Sequence, residues 1–238
     1  MSAGSAALRR AVCDANHALV AHGLVMGTFG NVSGVDREAG VFVIKPSGVP
    51  YDRLTPETLV PVSLDSGEVL DGDLRASSDT PTHLELYRAF GCGGIAHSHA
   101  VYATSFAQAG RPIPCMGTTH ADHFHGDVPV TRAMTRAEVD GAYESETGKV
   151  IVETFQSGCI VPAEVPGVLV AHHGPFTWGR DAAEAVEHAA ILEYVARIEV
   201  ARLAIAPGAP RPADYLVDRH FSRKHGADAY YGQVERDQ

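Results

Sequence analysis

Gly94-Ile95-Ala96-His97-Ser98-His99 is the stretch on which the fold and chemistry of this chain turn. The short apolar run predicts a β-strand, and spacing by two predicts both imidazoles on one face of it, where they can close on one cation. Imidazole nitrogen suits zinc better than calcium or magnesium. A third candidate ligand comes from Ala171-His172-His173-Gly174, directly after the buried-type strand Val168-Leu169-Val170-Ala171. Two close histidines and a distant third describe a catalytic metal site that keeps a position open for substrate.

Outward from this pair, strands and helices alternate. Leu8, Val12, Ala15 and Leu19 recur at helical spacing from Ala6 to His22, with Gly23 as the stop. A glycine-punctuated loop, Gly27 to Gly34, leads to the strand Val41-Phe42-Val43-Ile44, and Val60 to Leu70 reads as two short strands around a turn. Thr80 as N-cap and Pro81 at the first helical position open a helix that Gly91 ends, the histidine strand follows, and Tyr102 to Ala109 is helix-like. Asp181 and Glu184 form a capping box for a long helix to about Leu203. The Pro-rich turn Pro207 to Pro212 then connects to a final charged helix within a single domain spanning 1–238. Central strands flanked by helices predict an α/β layered fold.

Composition narrows the function classes. With 238 residues, 45% hydrophobic and 20% charged, the chain can build a sizeable core. It holds no apolar run long enough to span a bilayer, and Asp14, Asn16 and His17 interrupt the stretch Ala11 to Val20 that a signal peptide would need, so a cytoplasmic protein is expected. A net charge of −10 argues against nucleic acid and anionic membrane as partners. The four scattered cysteines, Cys13, Cys92, Cys115 and Cys159, form neither a thiolate zinc cage nor a disulfide framework.

Three further clusters carry candidate chemistry. In Ser77-Ser78-Asp79-Thr80-Pro81 two serines at a helix start suit a phosphate, because a first turn leaves N–H donors unpaired, although such residues also serve simply as caps. Lys45-Pro46-Ser47-Gly48, with Gly30-Asn31-Val32-Ser33-Gly34 upstream, offers a point charge, a hydroxyl and backbone that an anion can approach. Neither loop matches a Walker A or Rossmann pattern. In Thr118-Thr119-His120-Ala121-Asp122-His123-Phe124-His125, Asp122 is a candidate general base, and one of the histidines is an alternative to His173 as metal ligand.

Together these segments, with Glu146-Thr147-Gly148, His173-Gly174-Pro175-Phe176 and the tail Lys224-His225-Gly226-Ala227-Asp228-Ala229-Tyr230-Tyr231-Gly232-Gln233, resemble the class II aldolase and epimerase superfamily, in order along nearly the whole chain. The resemblance implies a three-layer α/β/α fold around a mainly antiparallel sheet. It implies one zinc per chain on His97, His99 and His173, with Asp79 near or on the metal. Asn31, Lys45, Ser47, Gly48, Ser77 and Ser78 would surround a substrate phosphate. Asp122 and Tyr231 would form the acid/base pair, Tyr231 reaching in from a neighbouring subunit of a cyclic homotetramer whose active sites lie at subunit interfaces. Thr118, Glu144 and His220 would support the site.

The superfamily's aldolases carry a glutamate base where this chain has Asp79, so the resemblance leans to the sugar-phosphate epimerases, which interconvert L-ribulose 5-phosphate and D-xylulose 5-phosphate in arabinose or other sugar catabolism. Carbon 4 of that substrate is not adjacent to the carbonyl, so its C–H is not acidic. Its inversion therefore calls for retro-aldol cleavage of C3–C4 and re-addition, with metal stabilisation of the enediolate and acid/base groups on opposite faces of the aldehyde. A zinc aldolase of the same fold is the competing enzyme reading, and a non-catalytic module like the adducin head is the competing non-enzyme one. The chain departs from the commoner pattern at His123, where tyrosine is usual, and at His172 beside the third ligand.

Overall fold

The computed structural model describes residues 4–226 and 229–230. Its centre is a six-stranded sheet in the order β3-β2-β1-β4-β6-β5, built from β1 (Asn31–Asp36), β2 (Val41–Ile44), β3 (Val60–Ser63), β4 (Gly94–His97), β5 (Gly167–Leu169) and β6 (Pro175–Gly179). All five pairings are antiparallel. The middle strands β1 and β4 pair Asn31 with His97 and Ser33 with Ile95, and β4 pairs His97 with Phe176 of β6.

Side-chain alternation sends each strand into two cores. On one face Val32, Val43 and Ala96 meet α1 (Ala6–Ala21) and the first half of α7 (Ala182–Ile205), through Val12, Leu19, Ala182, Val186 and Ala189. On the other face Phe42, Ile44, Ile95 and Phe176 meet α2 (Thr80–Phe90), α3 (Val101–Gln108) and α6 (Tyr143–Ser157), through Leu84, Leu86, Ala103, Phe106 and Ile151. Each such fully buried Phe, Ile or Leu contributes roughly 1.5–3 kcal/mol by leaving water. The short helices α4 (Thr118–Ala121) and α5 (Arg136–Asp140) and the terminal α8 (Asp214–His225) complete the chain. The α/β layered expectation holds, with helices on both faces of an antiparallel sheet.

Several local expectations change. Gly27 to Gly34 is not all loop, since β1 begins at Asn31. Its polar residues Asn31 and Ser33 hid it, and they are buried against α2, where the Asn31 amide donates to Asp79 and Ser33 pairs with His83. Of the two strands expected between Val60 and Leu70 only β3 forms; Val69 makes a single bridge to Val62. Asp79, not Thr80, is the N-cap of α2, with Gly91 left-handed at its end. The Asp181–Glu184 box is only half formed: Asp181 accepts from the Glu184 N–H, while Glu184 turns to the N–H of Arg180. β4 stops at His97, so His99 lies in the loop that leads to α3 and not on the strand.

Candidate metal and anion site

Two loops meet at the C-terminal end of β4. The β5–β6 connection turns through Val170 to Gly174, with the His173 N–H donating to the Val170 carbonyl and the Val170 N–H to that of Gly174. His172 takes the left-handed position of this turn (φ 63°) and is exposed. Gly174 lets the loop press against β4, because a Cβ there would lie 2.8 Å from the Ser98 carbonyl oxygen. Gly30 does the same from the other side: its φ is 77°, and a Cβ would lie 2.7 Å from the His97 carbonyl oxygen.

The result is a triad. The rings of His97 and His99 lie 5.0 Å apart, those of His97 and His173 4.8 Å, and those of His99 and His173 5.1 Å. One ligand atom from each falls within 4.8 Å of the others. The Nδ1–H of His97 donates to the Pro175 carbonyl at 2.9 Å, which leaves Nε2 as a lone pair facing His99 Nε2 at 3.1 Å. Phe176 stacks on His97 at 4.1 Å and fixes its plane. Burial pushes all three imidazoles below their ordinary range, His173 down to about 4, so they are neutral at physiological pH. The buried Nδ1 of His173 has no hydrogen-bond partner among the described residues. Neutral, converging nitrogen donors that lack other partners fit a zinc-type cation.

Asp79 stands beside them. Its carboxylate accepts from Asn31 Nδ2 at 2.6 Å. Burial raises it, but His97, His83, the Asn31 amide and His173 together bring it below the usual carboxylate range. The triad and Asp79 line a cavity of about 330 Å³ together with Thr28, Phe29, Gly30, Asn31, Lys45, Pro46, Ser47, Gly48, Ser77 and Ser78. Thus ten of the residues singled out in the sequence share one space: the three histidines, Asp79 and the six candidate phosphate contacts.

Lys45 is buried with 2% exposure, makes no ion pair with a described carboxylate, and lies 4.9 Å from the centre of the Tyr51 ring. Among the described residues its ammonium hydrogen-bonds to the carbonyls of Thr28 and Pro46, at 3.4 and 3.5 Å, and burial lowers its pKa. A buried cation so weakly satisfied calls for an anion. The backbone donors are fewer than expected, however. The Ser47 N–H is taken by Arg75, the Ser77 N–H by Lys45, and Ser77 Oγ caps the Asp79 N–H. The carboxamide oxygen of Asn31 is buried without a partner among the described residues.

The remaining candidates lie elsewhere. Asp122, the C-cap of α4, is outside the cavity lining; its carboxylate accepts from Arg223 at 2.6 and 2.9 Å and from His220 Nδ1 at 3.0 Å, both on α8. Burial raises its pKa, but those bonds hold it below the usual range. Thr118 starts the same α4, whereas Glu144 sits on the first turn of α6, where its carbonyl accepts from Thr82. His123 meets Lys224 at 3.1 Å. Tyr231 lies outside the described residues. Two residues near the triad were given no role from the sequence: Tyr143, whose ring is 6.5 Å from that of His173, and the fully buried His83, which closes the family-like stretch Ser77 to His83. Neither stands in a recognisable spacing; His83 is simply one turn beyond Asp79.

The buried histidines carry a pH signature. Burial depresses His83 to about 3 and His120 and His173 to about 4, below the ordinary 6.5. The unfolded chain therefore takes up these protons first, and the stability present above about pH 6.5 is lost as pH falls toward 4. His125, raised by Asp218 and Glu164, opposes this from a more exposed position. The urea midpoint of metal-free protein should fall steadily over that interval; a flat or rising midpoint would contradict the burial argument.

Comparison with known proteins agrees with this geometry. Residues 10–200 match the family described as Class II Aldolase and Adducin N-terminal domain. L-ribulose-5-phosphate 4-epimerase UlaF of Salmonella paratyphi A (strain ATCC 9150 / SARB42) is 51% identical over 227 residues, 95% of this chain and 98% of that protein, and the UlaF of Salmonella typhi matches to the same extent. Among solved structures, an L-fuculose 1-phosphate aldolase superposes with a TM-score of 0.76 at 26% identity, covering 92% of this chain and 97% of the other. The L-fuculose-1-phosphate aldolase of Thermus thermophilus gives 0.67 at 26% identity, covering 87% and 100%. By the span of the family match and the identity over nearly its whole length, the chain belongs to the class II aldolase and adducin N-terminal domain family.

Proposed function

We propose that this protein is a zinc-dependent L-ribulose-5-phosphate 4-epimerase. The observation that carries the reading is that a neutral imidazole triad and a buried, weakly satisfied lysine line the same cavity. That pairing suits a sugar phosphate, whose hydroxyl and carbonyl oxygens go to a metal and whose phosphate goes to Lys45. The epimerase is preferred to an aldolase because the relatives named as epimerase share 51% identity, whereas the structural neighbours named as aldolase share 26%. The shorter carboxylate, Asp79, favours the same choice.

One zinc per chain would be held by His97, His99 and His173, with Asp79 beside it. When bound, it supplies Lewis-acid stabilisation of the negative charge that develops on the substrate oxygens. The chain's own groups do the rest. A base takes the proton from the C4 hydroxyl, C3–C4 breaks with its electron pair going to C3, and glycolaldehyde phosphate remains held through its phosphate by Lys45, Ser47, Gly48, Ser77, Ser78 and Asn31. The aldehyde end turns, C3 re-adds to its other face, and an acid on that side returns a proton to the C4 oxygen. Asp122 and Tyr231 are assigned to these two proton transfers, with Thr118, Glu144 and His220 supporting them.

That assignment requires a second chain. Asp122 is bound up with α8 and is absent from the cavity lining of its own subunit. A homotetramer with active sites between subunits would bring the acid/base groups of one chain to the metal of another. In support, α8 buries none of its residues and leaves Tyr215 79% exposed, and Ile205 at the end of α7 is 84% exposed. Among the described residues no helix is long and apolar enough to cross a membrane, and all four cysteines are free, which suits a cytoplasmic setting.

The direct test is incubation of zinc-loaded protein with L-ribulose 5-phosphate. Conversion to D-xylulose 5-phosphate is expected. Accumulation of free two- and three-carbon fragments without epimer would favour the aldolase, and absence of any turnover would favour a binding module.

A further inference from the structure

His99 is the least braced ligand of the triad. It is exposed, and among the described residues the hydrogen-bonding contact of its ring is with His97 Nε2, a fellow ligand, at 3.1 Å. The Phe29 ring beside it is 5.8 Å away, so nothing matches the Pro175 bond and the Phe176 stack that hold His97. A ligand that no side chain orients takes its place from its backbone. That backbone is short: β4 ends at His97 and α3 begins at Val101, so Ser98, His99 and Ala100 span the gap between two elements. Sheet pairing anchors the strand end, with His97 opposite both Asn31 and Phe176.

The helix end is anchored from α7. The N-cap residue of α3 is Ala100, which offers no side-chain acceptor, so the orphan N–H groups of the first turn need partners from elsewhere. Glu193 of α7 supplies them, its Oε1 accepting from the Tyr102 N–H and its Oε2 from the Ala103 N–H, each at 2.9 Å. These are the second and third helical positions, whose donors an N-cap serine or aspartate would satisfy. A carboxylate about ninety residues later in the chain thus replaces the local cap, and its charge faces the positive end of the helix dipole. Arg197, one turn further along α7, lies over the Tyr102 ring at 5.9 Å. At the other end of α3 the Ala107 carbonyl accepts from the His172 N–H at 3.0 Å, which ties the turn carrying His173 to the same helix. One eight-residue helix therefore joins the backbones of two ligands whose rings lie 5.1 Å apart.

We propose that Glu193 is a positioning residue for the metal site: by capping α3 it holds the backbone of His99 where its imidazole can meet those of His97 and His173. The proposal rests on the zinc reading of the triad given above. Glu193 itself touches neither metal nor substrate, and it acts through α3.

Hydrogen exchange at the Tyr102 and Ala103 amides of metal-free, full-length protein tests the cap. Glu193→Ala should speed both by at least about fivefold, the scale of one lost helix cap. Chelator competition with zinc then reads the consequence for the site. Glu193→Ala should bind zinc at least about 10-fold more weakly, the lower end of what partners behind metal ligands contribute. Glu193→Gln, whose amide oxygen keeps one of the two bonds, should fall between that variant and wild type. Thr135→Ala is the control, since it removes the side-chain cap of α5 and should lower the urea midpoint while leaving zinc affinity unchanged. Wild-type zinc affinity in both Glu193 variants, an equal loss in Thr135→Ala, or unaltered exchange at Tyr102 and Ala103 would each overturn the positioning role alone. Wild-type protein that takes up no zinc would overturn the zinc reading and this proposal with it.

Discussion

His97→Ala is expected to leave a folded protein that binds no zinc and has lost at least about a thousandfold in kcat/KM, the scale of several kcal/mol of Lewis-acid stabilisation. His97 is chosen because it is the best held of the triad: it lies at the end of β4, donates to the Pro175 carbonyl, and stacks on Phe176. A ligand so constrained is preorganised, and removing it leaves two nitrogens that cannot hold a catalytic cation tightly. The fold should survive because alanine at this strand end deletes a ring from the rim of a cavity and not from the centre of either core. Metal analysis of purified wild type and variant reads the first part, and the epimerase assay the second. Full activity in wild-type protein stripped of metal by a chelator, or in the metal-free variant, would refute the metal assignment.

Lys45→Met should separate function from stability. The ammonium is buried, pushed below its ordinary pKa by desolvation, and met among the described residues by two long contacts to carbonyls and the Tyr51 ring. Its charge is therefore a cost to the folded state that an isosteric apolar side chain relieves. The variant should gain roughly 0.5–2 kcal/mol of stability. A phosphate bound there would lose a charge-assisted bond worth about 1.5–3 kcal/mol, so KM for the sugar phosphate should rise about 10–100-fold while zinc content stays at one per chain. Thermal unfolding, metal analysis and steady-state kinetics on one preparation decide it. A destabilised variant with unchanged KM would assign Lys45 to the core and remove it from substrate binding.

The two experiments probe two residues that line one cavity, and the contrast reflects how the site is made. The three imidazoles come from the end of a central strand, the loop that follows it and a tight turn, whereas Lys45 and its neighbours come from loops where several backbone donors are spent on one another. Tyr51 supports the second group, its ring beneath the Lys45 ammonium and its hydroxyl donating to the carbonyls of Phe29 and Gly30.

What the sequence alone determined was the residue types that gather at the cavity and most of the elements. Histidines two apart after an apolar run, a third after another such run, and a lysine among glycines are legible because ligand type and strand periodicity are local properties of the chain. The amphipathic α1, the Gly91-terminated α2 and the long α7 were legible for the same reason. What only the tertiary structure decided was partnership. β1 was hidden because Asn31 and Ser33 make sense as buried residues only when Asp79 and His83 lie opposite them. His99 joins the triad from a loop because Gly174 lets a distant turn close on it, and His172 is excluded by its left-handed, outward position in that turn. Asp122 could be recognised as an acid/base type, but its engagement with His220 and Arg223, about a hundred residues later in the chain, could not. Residue type and short-range periodicity are written locally; which buried polar group satisfies which other is settled only when the sheet brings them within hydrogen-bonding distance.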